Sequence, residues 1–457
     1  MTTIPLIGYL VAVLAIAAYS ARRATPYDYL LSSRSLGFLA LGASIAAGFF
    51  DSFVLVTFTA YVYFYGWPAL TLFVGTAAGL LLFSVFAPQL RKEAGNHSYY
   101  GMSDYFEQRY GHGSAVVVSL INVVFYVALL LIQIIFGSTL LMEITGFSYG
   151  ICILLIAATL LAYVGTGGFR AVIVTDIFQW GLIGILLIVV AGFLLSAEFG
   201  PSMSYADWSG SAGDAVGFLL IGCMASFAAP ELWQRCFAAR DKYSARRGVL
   251  LAAALFPVSG LILVVIGFTA ATMFPGIDPQ SALVHVFRES LSGGLSGVGL
   301  VLLLAAIMST ADTCLFVIAP TLVLNVLRTK RGSERKAPTF SIMSAALVLA
   351  CMGAFLTQDL LKIALALASL SLGIFPVLFI GLLAKLSSRV VNVAMVSGFV
   401  VVALVLAAGS LDPATSAISL PVSLVIVLGW LGYRKLLRRG GDSEERRSIA
   451  KSENESA

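Results

Sequence analysis

Charged residues are scarce in this sequence of 457 residues. Asp, Glu, Lys and Arg together make up 11% of it, while 59% is hydrophobic. Since soluble globular domains carry about 25% charged residues, this composition excludes a soluble protein. Histidine occurs three times, in predicted loops, and the five cysteines form no CxxC pair or Cys/His cluster. We therefore expect no buried histidine proton relay, no disulfide framework and no zinc site.

What the chain does contain is a series of apolar runs, several of them about 20 residues long, which is the length that crosses a bilayer as a helix. Together with the polar breaks between them, these runs predict an all-α polytopic membrane protein with about thirteen transmembrane helices. The predicted spans are 4–21, 36–64, 67–88, 114–142, 147–164, 170–197, 214–234, 247–274, 294–326, 338–356, 359–384, 390–408 and 416–433.

Lysine and arginine are distributed unevenly between the predicted loops. With the N-terminus placed outside, 26 of the 28 Lys and Arg residues fall on the inner side. Cytoplasmic loops carry the excess of these residues, so we predict a multi-pass protein of the cell inner (plasma) membrane with a cytoplasmic C-terminus. The same loops account for the net charge of +5, so we expect no nucleic-acid partner. Residues 434–457 are polar and aperiodic, which predicts a disordered tail.

Two spans contain small residues followed by an acidic residue. They are GASIAAGFFDSF (42–53) in span two and IGCMASFAAPELWQR (221–235) in span seven. Small residues let helices approach closely, and Pro230 lacks the backbone N–H that a continuous helix needs. The two segments lie five spans apart, as expected of inverted-repeat transporters, in which paired discontinuous helices build a site at the membrane midplane. The alternative is that both are ordinary packing surfaces.

A third polar stretch, AAIMSTADTC (305–314), places Ser309, Thr310, Asp312 and Thr313 within an apolar span. A charged side chain at bilayer depth is costly, so it usually faces a cavity or a pathway. Hydroxyl and carbonyl oxygens are hard donors, which suit a cation such as Na⁺. Alternatively, the hydroxyls bond to carbonyls of their own helix, which would leave Asp312 unexplained. Asp176, near the start of span six, is either a second buried carboxylate or a surface charge.

Four segments resemble the solute:sodium symporter family, whose members include the proline/sodium and sodium/sugar symporters. They are 30–48, 167–179, 230–248 and 304–313. The resemblance implies a LeuT-like fold and a Na⁺-coupled symporter that imports a small organic solute by alternating access. It also implies the organisation of the chain: a leading helix with the first cytoplasmic loop (1–34), a first inverted repeat of five helices (35–199), a second inverted repeat (200–386), two trailing helices (387–433) and the tail (434–457).

The resemblance further implies the cation ligands, position by position. The sodium site that the family shares falls on Ala47, Phe50, Ala306, Ser309 and Thr310. A second site, present in some members, falls on Asp176, Ser309, Asp312 and Thr313. The best-described second sites have a serine where this chain has Asp312, so the two carboxylates could bind Na⁺ or share a proton. We predict that Asp176 and Asp312 face each other.

The solute site is predicted from residues next to the Phe50 carbonyl and from polar and aromatic positions in span four. These residues are Phe49, Asp51, Phe53, Tyr126 and Gln133. A carboxylate at the depth of Asp51 must be paired, protonated or bound to a cation. Lys362 is one candidate partner, and a protonated Asp51 with a raised pKa that couples transport to H⁺ is a second possibility. The third is that Asp51 holds the amine of an amino acid or another amine, with cation–π support from the aromatic side chains. Val54 stands where sugar symporters have a glutamine, which argues against a sugar.

Two other functions compete with transport. Similar transmembrane domains are fused to histidine kinases in some bacteria, so a sensor that acts with a separate signalling partner is the alternative. A membrane enzyme is disfavoured because no HExxH, GxSxG or Cys-ligand pattern occurs at a predicted membrane face. We predict a transporter, not an enzyme, whose partners are the solute, Na⁺ and membrane lipid, with no obligate protein partner.

Overall fold

The structure, a computed structural model, describes residues 3–23, 34–49, 54–194, 210–290, 294–327, 336–356, 360–409 and 412–435. Regular structure in these ranges is helical, apart from an isolated bridge between Leu36 and Ala239. The helices, in chain order, are α1 (Thr3–Arg23), α2 (Phe38–Phe49), α3 (Thr59–Tyr65), α4 (Thr71–His97), α5 (Met102–Tyr110), α6 (His112–Thr145), α7 (Tyr149–Leu194), α8 (Ala212–Ala228), α9 (Pro230–Ala238), α10 (Lys242–Met273), α11 (Ala282–Ser290), α12 (Gly294–Thr321), α13 (Lys336–Leu356), α14 (Leu360–Leu383), α15 (Ser388–Ala407), α16 (Pro413–Ser416) and α17 (419–435).

The predicted all-helical membrane architecture is confirmed. Among the described residues, eight helices are long and apolar enough to cross a bilayer, and two bent helix pairs raise that number to ten. The shorter apolar helices Pro5–Tyr19 and Tyr149–Gly165, together with α17, coincide with the three remaining predicted spans. Each predicted span therefore has a helix or a helix pair in the structure, while the orientation across the membrane stays a prediction.

Helix α12, which contains the polar stretch 305–314, lies deep inside the bundle. In the most apolar 18-residue stretch of this span, 94% is buried inside the protein, whereas the corresponding share for α15 is 28%. Helix α12 packs against α6, α7 and α13. Its hydroxyls and its carboxylate therefore face other helices, not lipid.

Glycine allows a very close contact between two helices. Helices α4 and α8 pack along their length, and α4 also packs on α10. A Cβ atom on Gly75 would lie 2.2 Å from the Leu219 carbonyl oxygen, and one on Gly79 would lie 2.1 Å from that of Cys223. No side chain fits there, so the backbones of α4 and α8 touch directly, as small residues permit between membrane helices.

Two spans are broken, at the positions that the small-residue segments predict. The axes of Phe38–Phe49 and Val54–Tyr65 differ by 54°, and those of α8 and α9 differ by 45°. The second break has Ala229 in an extended conformation and Pro230 as the first residue of α9. The Trp233 indole N–H donates to the carbonyl of Phe227 at 2.7 Å, which satisfies one acceptor that the break exposes.

The predicted boundary between the two inverted repeats, at residues 199 and 200, lies outside the described residues. Helix α7 is bent at Gly168, whose φ of 67° is left-handed and suits glycine. Asp176 follows this bend, and Tyr163 precedes it. The division into repeats stays a prediction.

Candidate cation and solute sites

A cavity of about 150 Å³ lies between the two broken spans. Gly48 and Phe49 reach it from the end of α2, while Ser226, Ala229 and Glu231 reach it from the junction of α8 and α9. Aromatic side chains form much of its wall: Phe49, Tyr61, Phe125, Tyr126, Phe218 and Phe256. An apolar pocket with a few converging polar groups is the typical form of a small-molecule site.

Glu231 supplies the carboxylate in the wall of this cavity. It lies in the first turn of α9, where the positive end of the helix dipole favours a negative charge. The Tyr126 hydroxyl donates a hydrogen bond to its Oε2. In the sequence, Glu231 stands out only as the charge after a run of small residues. An acid directly after Pro230, at a helix start within an apolar span, is the signal that could have identified it.

The predicted solute residues are only partly brought together. Phe49 and Tyr126 line the cavity. Gln133 is buried on α6 but is not among the residues that line this cavity. Asp51 and Phe53 lie outside the described residues, as does the side chain of Lys362. The role predicted for Asp51 therefore stays a prediction.

Arg235 forms a buried ion pair with Asp176. One of its terminal nitrogens donates to Asp176 Oδ2 at 2.9 Å, and the two side chains are 2% and 0% exposed. Its Nε donates to the Ser44 hydroxyl at 3.0 Å, and the same terminal nitrogen lies 3.5 Å from the Thr313 hydroxyl. Arg235 directly follows the predicted span 214–234 and is therefore counted among the 26 inner Lys and Arg residues, but it lies in a helix and not in a loop. The residue belongs to α9, and its guanidinium joins α2, α7 and α12.

Gly48 makes room for this guanidinium. A Cβ atom at Gly48 would lie 2.9 Å from the central carbon of the Arg235 guanidinium, closer than Cβ atoms are found. The last turn of α2 is therefore shaped around a charged group. Phe49, the next residue, lines the cavity, so one turn of helix touches both the ion pair and the cavity.

The two hydroxyls predicted to bind Na⁺ behave differently. The Ser309 hydroxyl donates to Asp176 Oδ1 at 2.5 Å. It therefore joins the buried polar cluster around the ion pair of Arg235 and Asp176. The Thr310 hydroxyl donates to the Ala306 carbonyl at 3.1 Å, which is the alternative bond within its own helix. All three residues are buried on α12. Ala47 is buried in the last turn of α2, and Phe50 lies outside the described residues.

Asp312 lies one turn further along α12 and is fully buried. The Tyr163 hydroxyl donates to its Oδ2 at 2.9 Å and also contacts the Met308 carbonyl. Its Oδ1 has no hydrogen-bond partner among the described residues. The carboxylates of Asp176 and Asp312 are close enough to interact electrostatically, but different partners hold them: Arg235 and Ser309 hold the first, and Tyr163 the second.

The donor set identifies the kind of cation that this region suits. The described part of the chain contains no group of three or more His, Cys, Asp or Glu side chains that could hold a transition metal. The available ligands are hydroxyl, carbonyl and carboxylate oxygens, which are hard donors that suit cations such as Na⁺.

Comparison with known proteins identifies relatives of the chain. The model of the "Sodium:solute symporter family" matches residues 29–207. The sodium/pantothenate symporter of Escherichia coli (strain K12) is 24% identical over 376 residues, which is 77% of this chain and 78% of that protein. An osmoregulated proline transporter of Bacillus subtilis (strain 168) is 24% identical over 381 residues, 77% of this chain and 76% of that one.

Two solved structures share the fold. A Na⁺-coupled sialic acid symporter in a substrate-bound outward-open state superposes with a TM-score of 0.78 at 16% identity, covering 93% of this chain and 96% of that one. A nucleobase-cation-symport-1 family transporter gives a TM-score of 0.61 at 15% identity, covering 90% and 95%. These matches confirm the predicted LeuT-like fold.

Proposed function

We propose that the chain is a sodium:solute symporter that couples Na⁺ binding between α2 and α12 to the import of a small organic solute, a function supported by the family model that matches residues 29–207. The Na⁺ site would use the carbonyls of Ala47, Phe50 and Ala306 and the hydroxyls of Ser309 and Thr310. The solute would occupy the aromatic cavity. Import by alternating access would move the two five-helix repeats against each other, with the N-terminus outside.

One observation carries the coupling. The last two turns of α2 contact Arg235 through Ser44 and Gly48 and contact the cavity through Phe49. A cation that fixes the end of α2 against α12 therefore also fixes a wall of the solute cavity. Each ligand then increases the affinity of the other, because both bind the same arrangement of the broken helix.

The cavity favours a solute with a positively charged amine. Glu231 is half-buried in its wall, and a carboxylate there gains most from a cationic partner. The surrounding aromatic rings can add cation–π contacts. Among the relatives, a proline transporter supports this assignment and a pantothenate symporter does not, so Glu231 is the stronger argument. Asp51 remains a second candidate for the same role.

Uptake by purified protein in proteoliposomes tests the proposal. With an inward Na⁺ gradient, we expect uptake of amino acids or other amines from a panel that also contains neutral and acidic solutes. Glu231→Gln should lower the affinity for the amine about tenfold or more, because a desolvated charge pair loses one partner. Glu143→Gln, at an exposed position near the end of α6, is the matched control. Asp51→Asn shows which carboxylate holds the amine.

Two results would contradict the proposal. Uptake that does not change when K⁺ replaces Na⁺ rules out Na⁺ as the coupling ion. A wild-type protein that carries only solutes without a positive group rules out recognition of an amine, whatever the variants do.

A further inference from the structure

Oxygen atoms from three helices surround the guanidinium of Arg235, which comes from a fourth helix. Ser44 of α2, Asp176 of α7 and Thr313 of α12 direct oxygen atoms at Arg235, at distances of 3.0, 2.9 and 3.5 Å. The first two distances are those of ordinary hydrogen bonds, and the third is a longer contact. Each oxygen comes from a different helix, and the arginine comes from a fourth. Oxygen ligands from several helices around one positive charge are the arrangement of a cation site, and here the positive charge belongs to the protein itself.

We propose that Arg235 fills a second cation position with its own guanidinium, so that this symporter binds a single Na⁺ while the ion pair is formed. The inference rests on the proposed function, since it concerns the number of Na⁺ ions that the same region holds. Asp176 and Thr313 belong to the predicted second site, which would bind Na⁺ or a proton. Both of these residues contact the arginine.

The two carboxylate oxygens of Asp176 have different partners. Its Oδ2 accepts from Arg235, and its Oδ1 accepts from the Ser309 hydroxyl. Because Ser309 donates its proton to Asp176, its oxygen lone pairs remain available to a Na⁺ in the first site. Asp176 therefore orients a ligand of the first site while its own charge is balanced by Arg235.

The formal charges of the region agree with a single Na⁺. The ionisable side chains that interact electrostatically with Arg235 among the described residues include Asp176, Asp312 and Glu231. A second Na⁺ beside the guanidinium would place two like charges next to the Asp176 carboxylate, which disfavours its binding.

Removal of the guanidinium should open the position to Na⁺. It would leave the Asp176 carboxylate, the hydroxyls of Ser44 and Thr313, and the space next to Gly48 without an occupant. Carboxylate and hydroxyl oxygens from three helices are suitable ligands for a hard cation. Arg235→Lys would keep a positive charge there and should keep the position closed.

The test is the amount of radioactive Na⁺ bound at saturation by the purified full chain, measured with Na⁺ alone and no solute. We expect one Na⁺ per chain for the wild type and for Arg235→Lys, and two for Arg235→Ala. Arg240→Ala is the matched control, because this arginine is in the turn before α10 with its side chain 70% exposed; it should leave the number at one. If the alanine variant does not fold, Arg235→Gln, which keeps most of the stem without the charge, replaces it.

The results separate the two proposals. Two Na⁺ bound by the wild type, or one bound by a folded Arg235→Ala or Arg235→Gln, overturns the inference and leaves the proposed function intact. A wild type that binds no Na⁺ overturns the proposed function. A second Na⁺ that disappears again in the double variant R235A/T313V supports the ligands named for this position.

Discussion

Two arginines that lie five residues apart along the chain, Arg235 and Arg240, pair with aspartates in opposite surroundings. Arg235 and Asp176 meet at 2.9 Å with 2% and 0% exposure, while Arg240 and Asp241 meet at 3.2 Å with 70% and 40% exposure. The distances are similar, so geometry does not distinguish them. Water screens the exposed pair, whereas the buried pair has only other side chains to balance its charges. Burial therefore gives the first pair a role in the site and leaves the second pair a role in local structure.

The largest effect is expected when the buried pair loses its carboxylate. Asp176→Asn removes the carboxylate that directly contacts the buried Arg235 guanidinium, which costs about 3–5 kcal/mol of stability. Asp241→Asn should have a much smaller effect, since its partner stays in water. The melting temperatures of wild type, Asp176→Asn and Asp241→Asn in detergent measure the difference in stability. Equal melting temperatures for the two variants would contradict the distinction between the pairs.

An intermediate effect is expected from Gly48→Ala. The new methyl group would lie 2.9 Å from the guanidinium carbon of Arg235, so α2 or the arginine must shift, at a cost of about 1–3 kcal/mol. Because Gly48 and Phe49 also line the cavity, we expect weaker solute binding as well as lower stability. Gly181→Ala, at a helical position where no atom lies within 4 Å of the added carbon, is the control for a plain helix substitution. Identical behaviour of the two variants would show that the close contact is unimportant.

The smallest effect is expected at the exposed pair. The Asp241 carboxylate caps α10 by accepting from the backbone N–H groups of Ser244 and Tyr243 at 2.8 and 2.9 Å. The hydrogen bond from the Ser244 N–H, together with the Arg240 guanidinium, lowers the pKa of Asp241 to about 2. A carboxyl with a lowered pKa stabilises the fold above its unfolded pKa of about 3.9, and this contribution is lost as the pH falls through about 2. The small stability difference between wild type and Asp241→Asn should therefore be constant from about pH 5 to about pH 8. A difference that changes across this range would contradict the capping role.

The same two pairs show what could be predicted from the sequence. Hydropathy predicts the spans because a helix must present about 20 apolar residues to lipid. Ser309 and Asp176 could be proposed as site residues because a polar side chain within an apolar span is costly unless it faces a cavity or a polar partner. Arg235 could not be recognised in the same way, because it follows the end of an apolar run and counting rules place such arginines in a loop. Only the bend at Ala229 shows that α9 carries it back into the bundle.

Helix contacts were also beyond prediction. The direct approach of α4 to α8 at Gly75 and Gly79 depends on which faces meet, and hydropathy does not specify rotation about a helix axis. Glu231 was missed as a cavity residue for a related reason. Its side chain lines the cavity because the helix restarts at Pro230, and the direction of α9 after that break is a tertiary property.

We propose that Na⁺ binds between α2 and α12 with the Ser309 hydroxyl, beside the buried ion pair, as one of its ligands. The affinity of the purified protein for Na⁺ alone, compared between wild type, Ser309→Ala and Ser344→Ala, tests this directly. The Ser344 hydroxyl bonds to the Phe340 carbonyl of its own helix α13, so this variant controls for loss of a serine. We expect Ser309→Ala to weaken Na⁺ binding about tenfold or more, because loss of a ligand costs at least as much as loss of a group that only orients one. Ser344→Ala should leave the Na⁺ affinity unchanged. An unchanged Na⁺ affinity in a folded Ser309→Ala protein would contradict this proposal.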